Sequence, residues 1–290
     1  MVYQSPEDLR RISYLGPAGT FTQLAASIYR PGADLVPYAS ITASAEAVLL
    51  QHVDAAVVPF ENSIEGSVGE THDIIVHRFN LAISGELVIP IEQCLMLPPA
   101  IELQNTQIAL VLSHPQALGQ CRSYIARRFP NAKTQATLST SEAVERMMKA
   151  QSDPELKNRV VAIAPRQAAA MHGARIDETH IEDDRLNATR FVVLTPHGHA
   201  PTGQDKTTFI FKTKNNPGAL VQALKCFADE SVNLSRIESR AAREGLGSYR
   251  FIVDCDGHRD DEKLKAVVIQ LENQVEEWRV VGSYPKAPSL

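Results

Sequence analysis

Residues 187–194, Asn-Ala-Thr-Arg-Phe-Val-Val-Leu, begin with polar groups and run on as an apolar strand. Asn187, Thr189 and Arg190 supply an amide, a hydroxyl and a fixed positive charge, and none is a usable base or nucleophile at neutral pH. Similar polar clusters recur upstream: Thr20, then Glu61-Asn62-Ser63, then Ser113-His114 with Gln116 and Gln120, and Ser139-Thr140-Ser141. Taken singly, each is explained by helix capping, for which Ser, Thr and Asn are ordinary choices and Ser141 is a candidate. Taken together, at the ends of strands in one region, they point to a binding site.

The elements that position these clusters follow one arrangement. A short apolar run ends in a polar loop and a helical pattern follows, at residues 12–15, 55–60, 108–112 and 160–164. Such runs imply parallel strands covered on both faces. Ligands of these sheets bind at strand carboxyl ends, close to helix N-termini that favour anions. A Gly-, Pro- and His-rich stretch, residues 196–205, then separates about 195 residues from a final region of about 85. That last region reads strand 207–213, helix 218–230, strand 233–239, strand 248–254, helix 260–273 and strand 278–283, which is a βαββαβ ferredoxin-like unit. Asn216 suits its first N-cap and Pro217 the first helical position. Phe209 and Phe211 alternate with Thr208, Ile210 and Lys212, as expected of a sheet with one covered face. The open face and edges would then be available to another subunit.

Composition excludes several classes. The 290 residues are 44% hydrophobic and 22% charged, ordinary for a globular chain of about two domains. A net charge of −5 argues against nucleic-acid binding through phosphate neutralisation. No apolar run approaches the roughly 20 residues of a membrane span, and the N-terminus has no secretory h-region. Cys94, Cys121, Cys226 and Cys255 are scattered, which fits free thiols in a reducing cytoplasm and no metal site. His197 and His199 lie in the linker and read as loop residues.

With these motifs read, the chain resembles the prephenate dehydratases that carry a C-terminal ACT regulatory domain. The resemblance rests on GPAGTFTQLAA at 16–26, VPFENSIEGSV at 58–68, SHPQALGQC at 113–121 and NATRF at 187–191, followed by NNPGAL at 215–220 and IESR at 237–240. It implies an α/β fold with a two-lobed, periplasmic-binding-protein-like catalytic domain (1–195) and a ferredoxin-like ACT domain (206–290). One lobe would span about 10–85 plus 176–195 and the other 86–175, with the active site between them. No chorismate mutase segment precedes the first motif, so the resemblance is to the monofunctional form.

The reaction implied is decarboxylation of prephenate with loss of its ring hydroxyl, giving phenylpyruvate, CO2 and water, without cofactor or metal. The resemblance makes Thr189 the donor to the leaving oxygen and Glu61 a candidate acid, against a plain exposed loop Glu. It assigns Asn62, Ser63, Thr20, Ser113, Gln120, Thr140, Ser141, Asn187, Arg190 and Phe191 to the substrate site. Arg190 is equally open to a salt bridge between lobes, and His114, ahead of Pro115, is expected to hold its loop. Leu138 stands where some family members carry an acid. L-phenylalanine is implied as feedback effector, held by Asn216, Pro217, Gly218, Ala219 and Leu220 on one wall and Glu238, Ser239 and Arg240 on the other. Ala241 and Gly247 depart from the family's usual proline and aromatic. A homodimer or homotetramer through ACT and catalytic domains is implied, and the alternatives are arogenate dehydratase or a non-catalytic amino-acid sensor.

Overall fold

A cis peptide joins Gly16 to Pro17 just beyond the first strand, and the polar GPAGT loop turns there into a helix capped by Thr20, whose hydroxyl accepts from Gln23 N–H. The computed structural model describes residues 3, 5–103, 107–245 and 247–288. The first lobe runs β1 (Arg11–Leu15), α1 (Phe21–Tyr29), β2 (Asp34–Tyr38), α2 (Ile41–Leu49), β3 (Ala55–Asn62), β4 (Gly66–Ser67), α3 (Gly69–Asp73) and β5 (Ala82–Pro90). The second runs β6 (Cys94–Leu97), β7 (Leu110–Ser113), α4 (Pro115–Gln120), α5 (Arg122–Arg128), β8 (Lys133–Ala136), α6 (Thr140–Lys149), β9 (Val160–Ala164), α7 (Arg166–His172) and β10 (Arg175–Glu178). The chain then returns through β11 (Ala188–Thr195), which enters the first sheet in the order β2-β1-β3-β11-β5. The second sheet is ordered β10-β6-β9-β7-β8.

Two lobes form as expected, with different boundaries and mixed rather than all-parallel sheets. β5 pairs with β11, so residues 82–90 belong to the first lobe, and β10 pairs with β6, so residues 175–178 belong to the second. β1 is parallel to β2 and β3, and β7 to β8 and β9, as the strand–loop–helix repeat requires. The strands that carry the chain between lobes, β5, β6 and β11, are antiparallel to their neighbours. An apolar run buried on both faces looks the same in either direction, so periodicity did not distinguish them.

The last domain is β12 (Asp205–Thr213), α8 (Ala219–Asp229), β13 (Leu234–Ala241), β14 (Tyr249–Asp256), α9 (Glu262–Gln274) and β15 (Val275–Pro285), an antiparallel sheet ordered β13-β14-β12-β15. Helix α8 begins two residues later than Asn216 and Pro217 suggested. Its N-cap is Gly218, in the left-handed region at φ 85°, where a side chain would be strained. One face of the sheet carries Phe209, Phe211, Val253 and Cys255 against α8 and α9. The other face is not open. Ile210, Ile252, Val281 and Tyr284 share one buried cluster with Val58, Phe60, Ile74, Ile75, Ile83, Val192 and Leu194 of the first lobe. Each such side chain contributes about 1.5–3 kcal/mol when fully buried, so the two domains are joined by a shared core. β15 lies so close on β5 that a Cβ at Gly282 would overlap the Ile83 backbone carbonyl.

Candidate active site

The cleft is organised by the pairing of β11 with β3, where Thr189 lies opposite Asn62 and Arg190 opposite Glu61. The register then shifts, so that Phe191 faces Pro59 and Phe60 is the extra residue of a bulge. A bulge re-aims side chains. Pro59, Asn62, Thr189 and Phe191 line the cleft, whereas Phe60 joins the core toward the last domain. Asn62 is buried and its orientation is determined by its partners: Oδ1 accepts from the N–H groups of Ile64 and Glu65, both at 3.0 Å. Its Nδ2 therefore donates, to Thr189 Oγ1 at 2.9 Å, Asn187 Oδ1 at 2.8 Å and Ala188 O at 3.2 Å. Thr189, buried and with Oγ1 already accepting, keeps its own O–H for a group in the cleft.

The cleft has a volume of about 440 Å3 and lies between the lobes. Thr20 and Phe21 from the start of α1, Thr140 from α6, and His114, Gln116 and Gln120 at α4 also line it. Thr20 caps α1 and also donates to Leu15 O. Ser139, rather than Ser141, caps α6, and His114 caps α4 by accepting from Gln116 N–H, the loop-holding role expected for it. Gln167 Nε2 donates to Thr20 O at 3.2 Å, bridging the lobes at one end of the cleft. Leu138 stands at its rim, 88% exposed. Asn187 lines an adjoining hollow that shares Glu65, Gln116 and Gln120 with the cleft, and its Nδ2 is a buried donor without a partner.

Several expected site residues are elsewhere. Glu61 points away from the cleft, with its carboxylate 3.3 Å from Arg236 and 3.8 Å from Arg190, so it is held as an ion-pair partner and not poised as an acid. Arg190 is buried between domains. Its Nη1 lies 2.5 Å from Asp254 Oδ2, its Nη2 donates to Tyr284 Oη at 2.8 Å, and its Nε is 2.7 Å from Glu86 Oε2. Of the two roles open for it, the salt bridge is the one built, joining domains and not lobes. Burial works against its charge, but Tyr284, Asp254 and Glu86 outweigh that and raise its pKa further. Ser113 is fully buried and donates to Ile163 O at 2.6 Å, tying β7 to β9. Ser63 donates to Leu186 O and accepts from Ala188 N–H, which fastens two loops. Ser141 is 2% exposed and meets His172 Nε2 at 2.9 Å, beneath Gly19.

A second hollow, about 600 Å3, lies on the last domain. Asn216, Gly218, Ala219 and Leu220 line it, with Val221, Gly247, Ser248 and Tyr249, while Pro217 is not among its lining residues. Glu238 and Arg240 are not in this wall: Glu238 bonds Ser67 of the first lobe, and Arg240 lies against Gly69. Ser239 is on the outer side of β13, paired with Phe251, but does not line the hollow either. One residue of the cleft wall had no sequence signal. Gln93, 2% exposed, donates to Gln120 Oε1 at 3.1 Å and leaves its own Oε1 unpaired at the cleft wall. Glu65 and His114 are the titratable side chains among the described residues that line the cleft.

Comparison with known proteins places the chain in a family. The prephenate dehydratase family profile matches residues 12–199 and the ACT domain profile residues 207–273. A prephenate dehydratase of Bacillus subtilis is 36% identical over 284 residues, covering 94% of this chain and 98% of that protein. A crystal structure of prephenate dehydratase from Arthrobacter aurescens in complex with L-Phe has 33% identity and a TM-score of 0.84, covering 97% of this chain and 92% of that one. A structure described as GqqA, a novel type of quorum quenching acylase, has 28% identity and a TM-score of 0.85, covering 96% and 99%.

Proposed function

The chain belongs to the prephenate dehydratase family and carries an ACT domain, and from the cleft geometry we infer that Thr189, presented by Asn62, donates to the departing ring hydroxyl of prephenate. The activity is that of a carbon–oxygen lyase. The ring carboxylate leaves as CO2, its electron pair enters the ring, and the C–O bond breaks as the ring becomes aromatic. Hydroxide takes up one proton and leaves as water, with phenylpyruvate as the remaining product. Hydroxide is a poor leaving group, so the site must supply a donor where negative charge grows.

The open O–H of Thr189 is the observation that carries this reading. Asn62 occupies the acceptor side of that hydroxyl, which leaves the proton directed at substrate. A threonine hydroxyl is too weak an acid to surrender its proton unaided, so it relays one. The proton comes from water or from the cleft's titratable side chains, Glu65 and His114, since Glu61 is held by Arg236 and Arg190. The N-terminal ends of α1 and α6, marked by Thr20 and Thr140, suit the substrate's two carboxylates. Asn187 Nδ2 and Gln120 add donors nearby. An acylase reading needs a nucleophile and its base open to substrate. The Ser141–His172 pair has the right spacing, but Ser141 is buried and does not line the cleft.

L-Phenylalanine regulates the enzyme through the ACT domain. Its binding place here is the hollow with Asn216, Gly218, Ala219 and Leu220. Exposed Val221 and Tyr249 in its lining, with Ile237 exposed on β13, suit pairing with a second copy, giving a homodimer or homotetramer. Among the described residues no helix is long and apolar enough to cross a membrane, and the four buried free thiols suit a cytoplasmic place. The test is turnover of prephenate and of arogenate, each with and without L-phenylalanine. Phenylpyruvate should form from prephenate and slow with L-phenylalanine. Faster turnover of arogenate, or none of prephenate, contradicts the reading.

A further inference from the structure

Behind the Asn62–Thr189 pair, on the opposite face of β3 and β11, lies a charged cluster built from both domains. Arg190, next to Thr189, is held by Asp254 and Tyr284 of the ACT sheet and by Glu86 of β5. Asp254 is fully buried, and its second oxygen accepts from Thr208 Oγ1 at 2.7 Å. Glu61, next to Asn62, is held by Arg236 of β13. Arg236 also donates to Ser67 Oγ at 2.8 Å and His72 Nε2 at 2.9 Å, and pairs with Glu238. The two guanidiniums lie 4.8 and 5.0 Å from the centroid of the Phe60 ring, the bulged residue between these strands. Lys206 joins through Glu86 and Arg240 through Glu238. The cluster thus holds four cations, Arg190, Lys206, Arg236 and Arg240, and four carboxylates, Glu61, Glu86, Glu238 and Asp254.

A buried cluster of this kind adds little net stability, because the pairing must first offset the loss of water around every charge. What it does supply is geometry: each member is held by several partners and moves only with them. Strand β13 alternates its side chains between two sides. Arg236, Glu238 and Arg240 are half-buried toward the first lobe, and Ile237, Ser239 and Ala241 are exposed on the other side. A displacement of β13 imposed from its outer side is therefore passed through Arg236 to Glu61. Its neighbour β14 carries Asp254, register-paired with Arg236, and so reaches Arg190 by the same motion. The residues that receive it are the immediate neighbours of Asn62 and Thr189.

We propose that Arg236 and Asp254 of the ACT sheet are positioning residues for the dehydratase site, and that this ion cluster carries the effect of L-phenylalanine to Asn62 and Thr189. The regulatory half rests on the functional reading above. Arg236→Gln removes the grip on Glu61 and leaves the outer hollow intact. Its kcat should fall roughly tenfold while KM for prephenate stays within about threefold, in the range of couplings carried by such networks. L-Phenylalanine should still bind the variant by calorimetry yet inhibit it far less than the wild type. Arg236→Lys, which keeps the charge, should recover part of both. Should Arg236→Gln fail to fold, Glu61→Gln breaks the same contact from the other side, at a carboxylate side chain that is 37% exposed. The two substitutions combined should cost no more than one alone. A variant with wild-type kcat and wild-type inhibition, whatever its melting temperature, overturns the proposal. A wild type that turns over prephenate but ignores L-phenylalanine overturns the regulatory half. A wild type with no turnover instead overturns the functional reading from which that half starts.

Discussion

Acidification should loosen the junction between the domains through His72, and the size of the effect follows from where that ring sits. His72 is fully buried, its ring centroid 4.3 Å from that of Phe60. Its Nδ1 donates to Val68 O at 2.9 Å and its Nε2 accepts from Arg236. Protonation would leave Arg236 facing a second positive charge in a dry site. Burial, reinforced by Arg236, lowers its pKa from 6.5 to about 4. The unfolded chain therefore binds this proton first as pH falls. Stability from His72 is complete above pH 6.5 and is lost between there and about pH 4. At one pKa unit per 1.36 kcal/mol, the loss by about pH 5 is ~2 kcal/mol. Urea unfolding of wild type and His72→Gln, each at about pH 7 and about pH 5, isolates this contribution. Wild type should lose ~2 kcal/mol more than the variant over that interval. Burial disfavours ionised Asp254 and Glu238, but Arg190 for the first and Ser67, His72 and Arg236 for the second hold them below the usual carboxylate range. Their contribution is lost at lower pH still, and that of Asp254, which does not depend on His72, is common to both proteins. Equal losses in wild type and variant would refute the reasoning.

Other substitutions separate site residues from their supports. Asn62→Ala leaves Thr189 without its donor and two backbone N–H groups without their acceptor. It should cost about 2 kcal/mol of stability by denaturant unfolding and reduce kcat at least tenfold, by about the amount that one misplaced donor is worth. Ser113→Ala removes the bond to Ile163 O and nothing in the cleft, so stability should fall by about 1 kcal/mol while kcat/KM stays within about twofold. Gly282→Ala forces a methyl against the Ile83 carbonyl, and thermal unfolding should show a cost of about 3 kcal/mol with earlier loss of the ACT domain.

The polar loops, the linker and the βαββαβ order were legible because each depends on local signals: caps, turns and hydrophobic period. Thr189 and Asn62 were legible as polar residues at strand ends, and their contact is the one the structure makes. Glu61 and Arg190 carried the same local signal and proved to face the other way. Strand alternation with one bulge at Phe60 decides that, and a bulge leaves no mark in the residue types. The face of Thr208 and Ile210 read as open for the same kind of reason. A sheet face mixing Thr, Ile and Asp looks solvated until a partner with matching charge, here Arg190, is brought to it from residues far along the chain. Gln93 had no signal at all, since its place at the cleft comes from the crossing between lobes.

Single-turnover kinetics of Thr189→Val test the central claim most directly. Valine keeps the shape and β-branching and removes only the hydroxyl, while Asn62 keeps Asn187 and Ala188 as acceptors. With the donor gone, phenylpyruvate formation from bound prephenate should slow by ~100- to 1000-fold with substrate affinity little changed, the usual cost of one donor at a developing anion. A Thr189→Val enzyme that forms phenylpyruvate at the wild-type rate would contradict the account.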